Sequence, residues 1–311
     1  MAIVTTPFSA SLRAPLASSP PFLRIAKLAA ATCAHRLRCY GGSSSSSSTA
    51  AVQPQPQQRQ QEGRNQLRSP DLVALEYADL NLPHKLSEEL GHVRIRQHVN
   101  PLSSSFSMPA QAPNWDEVLE DPTLPLMVDI GCGSGRLLMW LAKANPSGNY
   151  LGLEIRQKLA KRAECWVKEL ALKNIHFLFA NATVSFKNIM STYPGPLMLV
   201  SILCPDPHFK KKYHKRRVVQ KPLVDSILDS LAPGGKVFIQ SDVLEVAMDM
   251  RNLFDERCDL LQHVDSIDTT ILCDVDGWLL KNPMGIRTER EIHAEFEGAK
   301  MYRRLYQKKL V

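Results

Sequence analysis

The chain has 311 residues, of which 44% are hydrophobic, 22% charged and 7% aromatic. These proportions exclude a disordered, collagen-like or coiled-coil protein, and no apolar run reaches the roughly 18–20 residues that a membrane-spanning helix needs. The net charge of +7 is confined to residues 1–70, where eight Lys and Arg face the single acid Glu62; the remaining 241 residues carry thirty basic and thirty acidic side chains.

Residues 1–61 contain no Asp or Glu and are rich in Ser, Ala, Arg and Pro, with a serine run at Ser43–Ser48 and a Gln-rich stretch at Gln53–Gln61. That is the composition of an organellar transit peptide; a disordered tail is the plainer alternative. The serine content favours a chloroplast address, with the mitochondrion as the alternative. The seven cysteines (Cys33, Cys39, Cys132, Cys165, Cys204, Cys258 and Cys273) are odd in number, scattered, and form no CxxC pair. Neither a disulfide framework nor a metal site is expected, and a reducing compartment is.

The sequence divides into a tail over 1–70, an N-terminal helical extension and connector over 71–123, and one domain over 124–311. Asp71–Leu90 reads as short helical pieces around Pro83, and 91–123 is punctuated by four prolines. An alternation of strands and helices then begins. Strands are expected at Leu126–Ile130, Tyr150–Ile155, Ile175–Ala180, Leu197–Cys204 and Lys236–Gln240. Helices are expected at Arg136–Ala144, Lys158–Leu172, Pro222–Leu231, where Pro occupies the first turn and Gly234-Gly235 closes the helix, and Val243–Phe254. This pattern predicts an α/β, doubly wound, mostly parallel sheet with helices on both faces. Beyond Cys258 it weakens, and no further strands are placed.

The first strand runs into Asp129-Ile130-Gly131-Cys132-Gly133-Ser134-Gly135-Arg136. Glycines there permit a tight turn and close approach of a ligand to the backbone at a helix N-terminus. The spacing is GxGxG, not the GxGxxG of a dinucleotide fold, and the Gly-Lys-Ser/Thr of a phosphate-binding loop is missing. Asp129 repels a pyrophosphate but can accept hydrogen bonds from an ammonium group. Glu154, at the end of the second strand, can accept bonds from both ribose hydroxyls. Ammonium, ribose and no phosphate describe S-adenosylmethionine, with NAD as the competitor. Asn181 follows the third strand, where this kind of fold contacts an adenine amino group; a helix N-cap is the plainer role.

The fourth strand ends in Cys204-Pro205-Asp206-Pro207-His208-Phe209, followed by Lys210-Lys211-Lys212-Tyr213-His214-Lys215-Arg216-Arg217. Six of these last eight residues are cationic in an otherwise neutral domain. A charge run is often only a solvated face, but this one abuts the expected methyl donor, so it reads as a clamp for nucleic-acid phosphates. The Asn/Asp-Pro-Pro-aromatic tetrapeptide of amino-group methyltransferases is missing. Cys204 sits within the apolar strand and reads as packing rather than as a nucleophile.

VDIGCGSGR, LGLEIR, ANA, PDPHFKKKYHKRRVVQ, SDV and RTERE, in that order over residues 90–311, resemble the tRNA (guanine-N7-)-methyltransferase family. The resemblance implies a Rossmann-like class I methyltransferase fold with a seven-stranded sheet. It further implies methyl transfer from S-adenosylmethionine to N7 of guanosine 46 in the tRNA variable loop. Carried over by position, Asp129, Gly131, Gly133, Gly135, Glu154, Arg156, Asn181 and Ala182 hold the cofactor and Asp206 is the catalytic aspartate. Lys210, Asp242, Thr288, Glu289, Arg290 and Glu291 bind substrate, and Lys211, Lys212, Lys215, Arg216 and Arg217 meet the tRNA backbone. His208 replaces the Trp of many bacterial members. Asp206 is expected to stabilise the charge that develops on the methylated ring, and Asp242 and Glu291 to accept bonds from guanine N1–H and its amino group. An organellar chain is expected to need no obligate protein partner. Two readings stay beside this one: a class I methyltransferase acting on another RNA or a small molecule, and a non-catalytic RNA-binding module with a relic cofactor pocket.

Overall fold

The computed structural model describes residues 68–82 and 99–310. The expected transit peptide lies outside the described residues, as do residues 83–90 of the helical pieces expected over Asp71–Leu90; the described part of those pieces is a helix at Ser69–Glu76 and a 3-10 turn at Ala78–Leu80.

Seven strands form one sheet: β1 Leu126–Ile130, β2 Asn149–Glu154, β3 Ile175–Phe179, β4 Leu197–Leu203, β5 Leu231–Ser241, β6 Leu261–His263 and β7 Tyr302–Lys308, in the order β3-β2-β1-β4-β5-β7-β6. The first five run parallel, while β7 pairs antiparallel with both β5 and β6. Every residue of β1 and β2 is buried, as expected for strands covered on both faces.

Successive side chains of a strand point to opposite faces, and the two hydrophobic clusters divide accordingly. Val128, Ile130, Val200, Ile202, Val237 and Ile239 join one cluster; their neighbours Met127, Leu199 and Phe238 join the other. The first face is covered by α5 Ala182–Met190, α6 Lys221–Ser230 and α7 Leu244–Asp255. The second is covered by α3 Arg136–Ala144, α4 Gln157–Glu169 and α8 Glu289–Phe296, together with α1 Ser69–Glu76; the short α2 Trp115–Val118 adds Trp115 to the first.

The doubly wound sheet and its parallel half match the sequence expectation to within a few residues at each boundary. One detail is corrected. Gly234-Gly235 does not close the sixth helix, which ends at Ser230; it lies in the irregular start of β5, where the pairing jumps from Leu197↔Leu231 to Leu199↔Lys236. The last two strands escaped the sequence because β6 has only three residues and β7 reads YRRLYQK, with Arg303 and Arg304 buried inside it.

Strand order reverses between β1 and β4, so the loops leaving their carboxyl ends part and open a crevice. The glycine loop and the Asp206 loop leave β1 and β4 at that point.

Candidate active site

One cleft, with an empty volume of about 770 Å³ that is partly open to solvent, is lined by residues following four successive parallel strands. Ile130 and Gly131 come from the end of β1, Leu153–Arg156 from β2, Ala180–Thr183 from β3, and Cys204–Asp206 with His208 from β4. Gly131 has φ +81°, and a Cβ there would meet only open space, so its backbone faces the cleft bare. Gly135 acts differently. It caps α3 at φ +80°, and a Cβ would come within 2.5 Å of the Phe177 ring, so this glycine lets helix and sheet pack. Gly133 serves through its N–H, which donates to Glu154 Oε2 at 2.9 Å.

Glu154 is 1% exposed yet lines the cleft. Its Oε1 also accepts from the backbone N–H and Nε of Arg156 at 2.9 and 2.8 Å, and its Oε2 from Nη2 of Arg156 at 3.1 Å. Each oxygen thus receives two N–H groups, the usual capacity of a carboxylate. Ribose hydroxyls can bond to Glu154 only if the Arg156 side chain yields. Burial lowers the pKa of Arg156, but the hydrogen bonds and charge of Glu154, helped by Asp206, raise it above its ordinary value.

Asp129 lies at the end of β1, buried and not part of the cleft lining. Ser201 Oγ on β4 donates to it at 2.6 Å. Burial pushes its pKa up to about 7, against the Ser201 bond and with the help of Glu154. Asn181 combines both of its expected characters. It caps α5 by accepting from Thr183 N at 3.2 Å, and beside Ala182 it lines the cleft.

Asp206 is exposed at the rim. The residues flanking its loop, Cys204 and His208, hold φ of +50° and +44°, a conformation that costs non-glycine residues on the order of 1 kcal/mol each. Two bonds secure it: Cys204 N donates to Gln240 O at 2.7 Å, and Arg217 Nε donates to Pro207 O at 2.8 Å. Burial raises the Cys204 thiol to about 12, which leaves no thiolate for nucleophilic attack.

The cationic run is a 3-10 helix over Lys211–Arg216. Lys210, Lys211, Lys212 and Lys215 are exposed, and Arg216 stacks over Tyr213 at 4.3 Å while lining the cleft. Arg217 departs from the expectation. It is buried at 6% exposure and bonds Asp249, Glu245 and His214 in addition to Pro207, so it faces α7 rather than an RNA backbone. It ties the Asp206 loop to that helix.

The second distant segment is also partly turned inward. Thr288 and Glu291 form a capping box: Glu291 N donates to Thr288 Oγ1 at 3.0 Å, and Thr288 N to Glu291 Oε2 at 3.2 Å. The Glu291 carboxylate has no exposed surface and accepts from Arg303, Gln240 and Asn282. It therefore does not present an acceptor to a base, as the sequence reading expected; it locks α8 onto β5 and β7. Asp242 is mostly buried, its side chain 10% exposed, and is paired with Arg290, whose pKa rises through that hydrogen bond. Glu289 accepts from Ser134 Oγ at 2.5 Å and pairs with Arg136, fastening α8 to the glycine loop. Sequence reasoning missed Gln240, Asn282 and Arg303, which carry no motif. The capping box was readable as Thr-x-x-Glu.

The cleft fits an adenosyl amino-acid donor: an open glycine backbone, a carboxylate at the ribose position and apolar walls from Ile130, Leu153 and Ala180. The family model Methyltransf_4, described as "Putative methyltransferase", matches residues 123–303. A "tRNA (guanine-N(7)-)-methyltransferase" of Synechococcus sp. (strain JA-2-3B'a(2-13)) is 47% identical over 206 residues, 66% of this chain and 80% of that protein. One of the same description from Synechocystis sp. (strain ATCC 27184 / PCC 6803 / Kazusa) is 42% identical over 219 residues, 70% of this chain and 99% of its own. Among solved structures, the 16S rRNA methyltransferase KamB overlaps with a TM-score of 0.42 at 12% identity, covering 64% of this chain and 95% of its own.

Proposed function

The chain belongs to the tRNA (guanine-N7-)-methyltransferase family, and from that membership we propose that it methylates N7 of guanosine 46 in the variable loop of tRNA, using S-adenosylmethionine. The observation that carries this reading is the continuity of one cleft from the glycine loop to Asp206, with the exposed Lys210–Lys215 ridge immediately beyond. A small-molecule enzyme has no use for that ridge.

S-adenosylmethionine supplies an electrophilic sulfonium methyl. Glu154, once the Arg156 side chain yields, and the Gly131 backbone would hold its ribose and amino-acid portions, and Asp129 in its ionised form would favour the ammonium group. Guanine N7 bears a free lone pair, so no residue has to remove a proton from it. The chain's task is alignment, which supplies several kcal/mol of barrier lowering, and charge stabilisation. Asp206 stands at the rim, where its carboxylate stabilises the cationic imidazole ring that methylation creates. Asp242, whose side chain is 10% exposed, would accept from the guanine edge once its Arg290 partner yields. Lys210, Lys211, Lys212, Lys215 and Arg216 hold phosphates. N7 lies exposed in the major groove, so the chemistry does not itself demand base flipping.

The acid-free, basic composition of residues 1–61 supports an organellar address, and their serine content favours the chloroplast over the mitochondrion. The chain is proposed to act without a partner subunit. Incubation of the chain alone with labelled donor and unmodified tRNA, then borohydride reduction and aniline cleavage, tests the whole reading. A single scission in the variable loop supports it. Label without scission would place the methyl on another atom.

A further inference from the structure

We propose that the connector segment 99–106, to which the sequence gives no role, is the outer wall of the donor site, and that Asn181 acts as a positioning residue that pins it there. The inference rests on the donor reading above and says which additional part of the chain encloses the adenosyl group.

Val99 and Pro101 line the same cleft as Gly131, Glu154 and Asp206. Over the described residues 99–110 the regular structure is one 3-10 turn, Ser104–Phe106, preceded by local bonds from Ser103 N to Asn100 O at 3.1 Å and from Leu102 N to Asn100 Oδ1 at 3.4 Å. What holds the connector is α5 and the end of β3. Asn181 Nδ2 donates to Pro101 O and to Phe106 O, both at 3.1 Å. The Phe106 ring sits edge-on to Phe179, with centroids 6.2 Å apart. Further along, Ala110 N donates to Ser185 Oγ at 2.9 Å, and Asn188 Nδ2 donates to Ala110 O at 3.3 Å.

The donors of the Asn181 side chain are thereby assigned. Both amide hydrogens go to the connector, and Oδ1 caps α5. Neither N–H remains for a ligand, so these N–H groups influence the donor site through the wall, while the second lone pair of Oδ1 is the atom site a direct contact with an adenine amino group would use. The apolar faces of Val99 and Pro101, set against Ala180 and Ala182, form a slot suited to a flat heterocycle such as adenine.

The two roles of Asn181 separate cleanly in one substitution. Asn181→Asp keeps an oxygen for the cap and for any direct bond from an adenine amino group, but removes both donors to the connector. Phe106→Ala loosens the same segment from a position outside the cleft lining. Calorimetric titration of the full chain with S-adenosylhomocysteine should show each variant binding about tenfold more weakly. Melting temperatures should stay within a few degrees of wild type, and tRNA KM should be unchanged at saturating donor. Wild-type affinity in both variants overturns the proposal. So does loss of affinity in Asn181→Ala with none in Asn181→Asp, which would make Oδ1 a direct contact. A wild-type chain that binds no S-adenosylhomocysteine would overturn the donor reading itself, and this one with it.

Discussion

The donor and acceptor halves of the expected site are built on different principles. On the side of β1, β2 and β3, function comes from strand ends and backbone: Gly131 offers bare main chain, and Glu154 holds the Gly133 N–H. On the side of β4 and α8, function depends on charged side chains, and many of those are already spent within the protein. Arg217 is held by Asp249 and Glu245, Arg290 by Asp242, Glu291 by Arg303, and Arg287 by Glu76. The lesson is that a strand-end position on a parallel sheet nearly dictates what a residue faces, whereas a charge in a sequence says nothing about whether it faces a ligand or another side chain.

The acceptor half should show the steepest loss. Asp206→Asn should lower turnover on the order of 10²–10³-fold with donor affinity intact, because the carboxylate acts on charge that appears only during transfer; steady-state rates beside a binding titration check this. Arg303→Met should leave the buried Glu291 carboxylate without its cation, costing about 3–5 kcal/mol. In a domain of this size that lowers the melting temperature by roughly 10 °C. If instead Arg303→Met melts like wild type, Glu291 does not serve as the lock described above.

Next come the lysines and the arginine that sequence alone could not distinguish. Lys211→Ala with Lys212→Ala should weaken tRNA binding and reduce the slope of log affinity against log salt by about 1–2. Arg217→Ala should leave that slope unchanged while lowering kcat, because it frees the Asp206 loop from α7. Equal slopes for the lysine pair and wild type would remove the ridge from the RNA interface.

The smallest effect belongs to the donor half and depends on pH. Burial holds the Asp129 pKa near 7, far above its ordinary value of 3.8. From about pH 4 to 7 the unfolded chain loses this proton while the folded chain keeps it, so the group subtracts stability as pH rises through that window. Asp129→Asn should therefore raise the melting temperature by a few degrees at pH 8, leave it unchanged near pH 4, and weaken donor binding. Donor affinity of the wild type should itself fall as pH drops below 7.

Much of the donor half could be read from the chain because the physical causes are local. β1 is an apolar run, GxGxG forces a turn, and the Arg136–Ala144 helix is strongly amphipathic, matching its sequence boundaries. Asn181 was readable both as a cap and as a cleft residue, though its hold on the connector 80 residues upstream was not. The acceptor half hid more because its causes are distant. Glu291 on α8 is neutralised by Arg303 on β7 and also bonded by Gln240 on β5, 51 residues upstream, and Arg287 is paired with Glu76 from 211 residues away. Arg303 and Arg304 disguised β7 as a surface segment, although in the structure both are buried.

A single-turnover reaction on unmodified tRNA, run with wild type and Asp206→Asn side by side and read by mass spectrometry of the released nucleosides, bears most directly on the proposed chemistry. The expected result is 7-methylguanosine as the sole new nucleoside with wild type, and a slowing of at least about a hundredfold in the variant with S-adenosylhomocysteine still bound. A methylated nucleoside other than 7-methylguanosine, or a variant as fast as wild type, would contradict it.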